Sequence, residues 1–269
     1  MKEVYKNLKF IIKQFIKKII YKSKAFSNIK GSNQKRNERD MKFAHKVLKS
    51  LSPESKCIDI GSHKGEWLLY FKDYFPKQEH IAFEPLKEFY IQLKKKFPSF
   101  LIYNFALSNK SEISEFQYCA NLPAWSGLKK QEQYFGDPDI KTIKVKTAKL
   151  DDFNFKNEAD IKFLKLDVEG GELDCLEGSI SFIKRTRVII YFEHAYIHFV
   201  NYGNYSKKIY QFFEKINYKI ISLETSLPLL LDEFICIVNQ ARNNNYKYPS
   251  ETNFLAFPEE KFKVFQNLK

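Results

Sequence analysis

Short apolar runs alternate with amphipathic segments over most of this chain. Five runs have the length and the β-branched or aromatic content of buried strands, and they cover 56–60, 79–83, 100–104, 161–167 and 187–193. Helical patterns separate most of them, at 64–74, at 86–96 and from Gly171 onward. Strands that alternate with helices predict an α/β fold with a mostly parallel sheet and helices on both faces.

Two segments break this alternation. Residues 111–150 are aromatic and irregular, with β-like pieces at 113–119 and 143–149. Near the end of the pattern, apolar runs at 218–223 and 233–239 lie too close together for an intervening helix. We therefore predict that these last two runs form an antiparallel pair of strands.

The charge is distributed unevenly along the chain. The net charge is +13, yet residues 1–50 hold 15 Lys and Arg against three Asp and Glu, so the remainder is nearly neutral and no nucleic-acid binding is expected. Residues 1–22 place lysines among apolar positions at helical spacing, which predicts a basic amphipathic helix. This helix would bind either an anionic membrane surface or its own domain or a partner subunit. We expect helix and linker over 1–40, one domain over 41–240 and a tail of unassigned structure over 241–269.

Cysteine usage and hydropathy indicate the compartment. The four cysteines are scattered and form no C-x-x-C motif, which is typical of a reducing environment. Lysines interrupt the apolar pattern of residues 1–22, so it predicts neither a membrane span nor a secretory signal. We expect a cytoplasmic protein, peripheral at the inner face of the membrane if residues 1–22 bind lipid.

The first two strands and their connection indicate a nucleoside-binding βαβ unit. Gly61 and Gly65 follow the first strand, and Glu84 ends the second, 23 positions after Gly61. Glycines let the backbone approach a ligand, and the acid can bind both hydroxyls of a ribose. The spacing is G-x-x-x-G and not G-x-G-x-x-G. It therefore favours a ligand with a ribose but no phosphate, such as S-adenosylmethionine.

Carboxylates crowd the turn after the strand at 161–167. Asp167, Glu169 and Glu172 follow one another closely, and like charges at short range raise one another's pKa. They are expected either around a reaction centre or, for the two Glu, at the N-terminus of the next helix. Lys165 can pair with one of them, which would favour binding over proton abstraction. The candidate catalytic residues, with two from the end of the next strand, are Asp167, Glu169, Glu193 and His194.

Taken together, five strings resemble the FkbM-type methyltransferases, which have the class I S-adenosylmethionine-dependent fold. These strings are Ile58–Gly65, Phe83–Pro85, Asn104–Ser108, Val145–Asp152 and Leu164–Glu172. The resemblance implies a Rossmann-like, seven-stranded, mostly parallel sheet with one antiparallel strand, and methyl transfer to an oxygen, often on a sugar or a secondary metabolite. The chain departs from the family at His63, where Asn is frequent, and at Ala148, where Leu is common.

The resemblance also implies where S-adenosyl-L-methionine binds. The predicted cofactor-binding residues are Asp59, Gly61, Ser62, His63, Gly65, Glu84, Asn104, Ala106 and Asp167. No metal ligand is assigned, although Asp167 and His194 have side chains that can hold Mg²⁺.

The sequence therefore predicts an S-adenosyl-L-methionine-dependent O-methyltransferase that acts on a hydroxyl of a sugar, glycan or glycolipid. One alternative is an NAD-dependent sugar-nucleotide oxidoreductase, because a βαβ unit with a terminal acid also suits NAD. Another is a non-catalytic membrane or RNA adaptor with a degenerate cofactor fold. An intact acidic cluster opposes the adaptor, because idle buried carboxylates would be destabilising.

Overall fold

The computed structural model describes residues 35–128, 138–195, 205–243 and 251–261. The predicted basic helix at 1–22 lies outside these ranges, so membrane attachment stays a prediction. Every helix within the described residues is too short or too polar to span the hydrocarbon layer of a bilayer.

Strands and helices alternate as the pattern predicts. In chain order, the strands of the described residues are β1 (Lys56–Ile60), β2 (Ile81–Phe83), β3 (Leu101–Tyr103), β4 (Ala106–Leu107), β5 (Ile113–Cys119), β6 (Ile140–Ala148), β7 (Ile161–Leu166), β8 (Ile189–Glu193), β9 (Tyr218–Ser222) and β10 (Asn253–Pro258). The helices of the same ranges are α1 (35–49), α2 (Glu66–Tyr74), α3 (Lys87–Lys96), α4 (Glu172–Glu177), α5 (Ile180–Thr186), α6 (Tyr205–Lys215) and α7 (Leu231–Asn243).

Seven of these strands form one sheet in the order β3-β2-β1-β7-β8-β10-β9. β10 runs antiparallel to both of its neighbours, while the other pairs are parallel. The predicted fold class, a mostly parallel seven-stranded sheet with one antiparallel strand, is therefore confirmed.

Helices cover both faces of this sheet because its strands are apolar on both sides. Ile58 and Ile60 of β1 face a core to which α4, α5, α6 and α7 contribute. Cys57, one position away, faces the second core, with side chains from α1, α2 and α3. Successive strand residues point to opposite faces, so a continuous apolar run is the pattern of a strand buried between two layers.

The predicted strand at 233–239 is wrong, because these residues belong to α7. Phe234 and Val238 are fully buried four positions apart, with Cys236 exposed between them, which is helical spacing. A short apolar run fits a buried strand and a buried helix equally well from periodicity alone. The antiparallel strand is β10, which lies beyond the domain boundary predicted at 240 and completes the sheet.

A second, three-stranded sheet has the order β4-β6-β5 and is built by the segment that breaks the alternation. The β-like pieces predicted at 113–119 and 143–149 correspond to β5 and most of β6. Phe116 of β5 and Val145 of β6 pack with Ala106, Leu86 and Phe89 in a small core of their own. This packing holds β5 and the turn after it beside the carboxyl ends of β1 and β2.

Candidate active site

A cavity of about 410 Å³ lies at the carboxyl ends of β1, β2 and β7. Small-molecule sites typically measure ~300–1,000 Å³, and open α/β sheets bind ligands at this edge. The predicted site residues that line the cavity are Gly61, Ser62, His63, Glu84, Ala106, Asp167 and Glu169. The predicted site residues that do not line it are Asp59, Gly65, Asn104, Glu193 and His194.

The two glycines of the first turn are required by contacts within the chain. Both have positive φ, +77° at Gly61 and +74° at Gly65. A Cβ at Gly61 would lie 1.9 Å from the carbonyl oxygen of Asp167, and one at Gly65 would lie 2.6 Å from Leu93 and 2.9 Å from Phe97. Gly61 therefore lets the β1 turn pass the β7 turn, and Gly65 lets α2 start against α3.

Glu84 is a buried carboxylate fixed in the wall of the cavity. Its Oε2 accepts a hydrogen bond from the His63 N–H at 2.7 Å, and its Oε1 accepts one from the Leu86 N–H at 2.8 Å. Burial raises the pKa of Glu84 to about 7, against the opposing effect of these two hydrogen bonds. The sequence pattern alone placed this acid at the end of β2.

Asn104 supports that wall from behind. Its amide donates to the carbonyl oxygens of Glu84 and Pro85, both at 2.8 Å. It thereby ties the end of β3 to the end of β2, whereas Ala106 itself lines the cavity. His63 also lines the cavity, and the centroid of its ring lies 4.4 Å from that of the Phe89 ring.

A buried lysine links the turns after β1 and β7. The Lys165 Nζ lies 3.4 Å from Asp59 Oδ1 and 3.5 Å from Asp167 Oδ2, and it donates to the Gly61 carbonyl at 2.8 Å. Burial opposes the charge of Lys165, but Asp167 and Asp59 raise its pKa above the usual range. Burial also raises the pKa of Asp59, and Lys165 partly offsets this. The expected pairing of Lys165 is thus present, and it involves two acids.

The turn after β7 is held in an unusual conformation by Glu172. Glu169 and Gly170 both have positive φ, 57° and 99°. The buried Glu172 accepts hydrogen bonds on Oε1 from the N–H of Gly170 at 3.0 Å and of Val168 at 3.4 Å. These bonds close the turn and present Glu169 at the cavity, since positive φ is costly for a non-glycine residue without such support.

Three carboxylates converge where β7 and β8 end. One oxygen each from Asp167, Glu169 and Glu193 lies within 4.8 Å of the others. All three side chains are half-buried, and oxygen ligands of this kind can hold a divalent cation. The structure therefore brings together three of the four candidate catalytic residues.

His194, the fourth candidate, lies beneath the turn and away from the cavity. It is 1% exposed, its Nε2 lies 3.1 Å from Ser206 Oγ, and its ring stacks on Phe234. Its Nδ1 lies 3.9 Å from Glu172 Oε2. From this position His194 supports the turn and does not reach a ligand in the cavity.

Trp67 lines the cavity and was not among the predicted site residues. It is the second residue of α2 and packs on Phe163 and Tyr191. Its position two residues after Gly65 was the signal in the sequence, but an aromatic residue there also fits an ordinary core position.

The model of the Methyltransferase FkbM domain matches residues 59–220, which is more than half of the chain. The chain belongs to the FkbM methyltransferase family. A search of the curated proteins finds no match.

Solved structures give distant matches. The methyltransferase FkbM from Methylobacillus flagellatus KT is 14% identical with a TM-score of 0.44, and the match covers 76% of this chain and 44% of that one. A StiE O-MT segment is 11% identical with a TM-score of 0.39, over 80% and 72% of the two chains. The plantazolicin methyltransferase BpumL in complex with SAH is 9% identical with a TM-score of 0.39, over 84% and 88%. This chain therefore spans less than half the length of the first of these.

Membership of the FkbM family confirms the family predicted from the sequence. The predicted class of enzyme, a methyltransferase, agrees with this family. The family does not support the NAD-dependent oxidoreductase.

Proposed function

We propose that this FkbM protein transfers a methyl group from S-adenosyl-L-methionine to a hydroxyl of a sugar, glycan or glycolipid. The observation that carries the proposal is the Glu84 carboxylate, buried in the cavity wall with each oxygen fixed by one backbone N–H. A carboxylate has about four lone-pair sites. Two remain on Glu84 for the two hydroxyls of a ribose.

The rest of the cavity fits the other parts of this cofactor. Phe105, Leu107 and Phe116 give it an apolar side that suits a purine base. Asp167 and Glu169 place carboxylates where β7 ends, and these suit the positive charges of the cofactor's ammonium and sulfonium groups.

S-adenosyl-L-methionine supplies an activated methyl group, so the chain has to align the acceptor and take its proton. An alcohol has a very high pKa, and a base must accept the proton as the new C–O bond forms. The ion pair with Lys165 suits Asp167 to binding rather than to proton transfer. We therefore assign the base to Glu169, which the Glu172-supported turn presents at the cavity.

A sugar acceptor is supported by the family resemblance and by the converging carboxylates. Asp167, Glu169 and Glu193 offer several hydrogen-bond acceptors within a small volume. A molecule with neighbouring hydroxyls can bind to more than one of them at once. A screen of sugars with methyl-labelled cofactor tests this part directly.

Calorimetric titration tests the cofactor assignment. Wild-type protein is expected to bind S-adenosylhomocysteine at micromolar Kd, and Glu84→Gln is expected to weaken this at least tenfold, since bonds to charged groups contribute ~1.5–3 kcal/mol. The exposed Glu79→Gln is the matched control and should bind as wild type does. Binding of NAD in place of S-adenosylhomocysteine would contradict the proposal.

Attachment to anionic membranes through residues 1–22 is supported by their basic amphipathic pattern alone. Full-length protein should sediment with vesicles that contain phosphatidylglycerol and not with phosphatidylcholine vesicles. Exchange of Lys9, Lys13 and Lys17 for Glu should abolish this sedimentation. A wild-type protein that stays in the supernatant with both vesicles would show that the helix does not bind lipid.

A further inference from the structure

We propose that the indole N–H of Trp67 binds the carboxylate of the methyl donor's amino-acid portion. This inference rests on the proposed function and deepens it, because it divides the cavity into a nucleoside part at Glu84 and an amino-acid part at Trp67.

Trp67 is placed at the cavity by the glycine turn. Gly65 precedes α2 and Trp67 is the second residue of that helix, half-buried and part of the cavity wall. The Gly61 N–H donates to the Phe83 carbonyl at 3.0 Å and the Gly65 N–H donates to the Ser62 carbonyl at 2.7 Å, so the start of α2 has little freedom to move.

The indole ring is held rigidly. It lies nearly parallel to the ring of Phe163, at 5.8 Å between centroids and 24°, and against Tyr191 at 4.8 Å. Both neighbours are buried residues of the central strands. A side chain packed in this way loses little conformational entropy when a ligand binds, so a hydrogen bond from it retains most of its free energy.

The indole N–H has no acceptor among the residues that the structure describes. Tryptophan is a donor only, and Trp67 is half-buried at the cavity wall. Near Trp67, the Ser62 hydroxyl donates to the Asp59 carbonyl and Lys165 donates to the Gly61 carbonyl, whereas the His63 Nε2 is buried without a partner among the described residues. A donor at the cavity wall without a protein acceptor is a binding group for an acceptor on the ligand.

The charges of the cavity give the ligand its orientation. Lys64 precedes Trp67 by three residues and adds a positive charge to the same wall, and Glu66 adds a negative charge between them. Asp167 and Glu169 add negative charges from the turn after β7. A zwitterionic amino acid fits this separation with its carboxylate toward Lys64 and Trp67 and its ammonium toward Asp167.

Two ligands that differ only in the amino-acid portion test the inference. S-adenosylhomocysteine has the carboxylate, whereas 5′-methylthioadenosine keeps the nucleoside and the sulfur without it. Trp67→Phe keeps an aromatic ring and removes the N–H. By calorimetry, this variant should bind S-adenosylhomocysteine about tenfold more weakly and 5′-methylthioadenosine as wild type does. Equal affinity for S-adenosylhomocysteine in variant and wild type, or equal losses for both ligands, would overturn the inference.

A measurement on the unaltered site removes any dependence on how the variant folds. The chain has two tryptophans, so Trp125→Phe assigns the indole ¹⁵N–H resonance of Trp67. S-adenosylhomocysteine should shift this resonance and 5′-methylthioadenosine should shift it much less. Identical shifts with both ligands would show that the N–H does not meet the carboxylate. Absence of S-adenosylhomocysteine binding to wild-type protein would instead contradict the proposed function itself.

Discussion

The Nζ of Lys165 lies 2.8 Å from the carbonyl oxygen of Gly61, so a cation on β7 holds the turn that follows β1. The same ammonium balances Asp59 and Asp167. The Gly61 carbonyl and the carboxylates of Asp59 and Asp167 are thus all held by one buried positive charge. The geometry of the turn after β1 and that of the turn after β7 are coupled through it.

Replacement of Lys165 by Met should lower the free energy of unfolding by about 3–5 kcal/mol, because Asp59 stays buried without its counter-charge. Urea denaturation measures this loss. The double variant with Asp59→Asn removes both charges and should recover much of the stability. The control is Lys162→Met. Lys162 lies three residues earlier on β7 and donates to the Ala159 carbonyl at the surface, so its replacement should be nearly neutral. A single variant as stable as wild type would contradict this role of Lys165.

Gly61→Ala should be poorly tolerated, and Gly171→Ala should be tolerated. Gly61 has a positive φ, and a Cβ there would lie 1.9 Å from the Asp167 backbone oxygen. A Cβ at Gly171 would meet its nearest atom, Val168 Cγ2, at 3.5 Å. We expect Gly61→Ala to cost more than about 2 kcal/mol of stability, from strain and displacement of the Asp167 backbone. Denaturation and S-adenosylhomocysteine titration of both variants check this. Similar behaviour of the two variants would show that the turn relaxes freely.

Glu172→Ala should release the turn that presents Glu169. The amides of Val168 and Gly170 lose their acceptor, and their hydrogen-exchange protection should fall, with a stability loss of about 1–3 kcal/mol. Glu172→Gln keeps an amide oxygen as acceptor and should retain most of the protection. If both variants exchange as wild type does, Glu172 does not hold the turn.

His80 should make the protein sensitive to mild acid. It is fully buried, its Nδ1 accepts from the Cys57 N–H and its Nε2 bonds to the Phe75 carbonyl. Burial lowers its pKa from 6.5 to about 4. The folded-state pKa is below the unfolded one, so its contribution is complete above pH 6.5 and is lost as the pH falls toward 4. The loss amounts to about 3 kcal/mol at 1.36 kcal/mol per pKa unit.

Comparison with His80→Asn isolates this effect from that of Glu84, whose raised pKa acts in the opposite direction. Unfolding free energies of both proteins should converge between pH 6.5 and 4. A difference that stays constant over this range would contradict the assignment. Titration of the His80 ring protons by NMR gives the pKa independently.

The sequence predicts the strands near the site well, because they are buried on both faces and end abruptly in polar residues. Glu84 and Asp167 lie at the cavity for this reason. Carboxyl ends of parallel strands meet at one edge of a sheet, so local patterns were sufficient.

Other features depend on contacts between distant segments. The need for glycine at position 65 comes from Leu93 and Phe97 on α3, which no local pattern shows. His194 follows Glu193 directly, and neighbouring strand residues face opposite sides. The side chain of His194 therefore points toward α6 and α7, away from the cavity.

β10 fills the gap between β8 and β9 although it comes last of the sheet strands in the chain. Sixty positions separate Glu193 from Asn253, its partner in the sheet. At a synthesis rate of ~5–20 residues per second, one edge of β8 therefore stays unpaired for on the order of 3–12 s. Such an edge is open to pairing with other chains. The strand that carries Glu193 therefore gains its second partner only after the turn that follows β1 has been synthesised. A nascent chain stalled before β10 would be prone to aggregation.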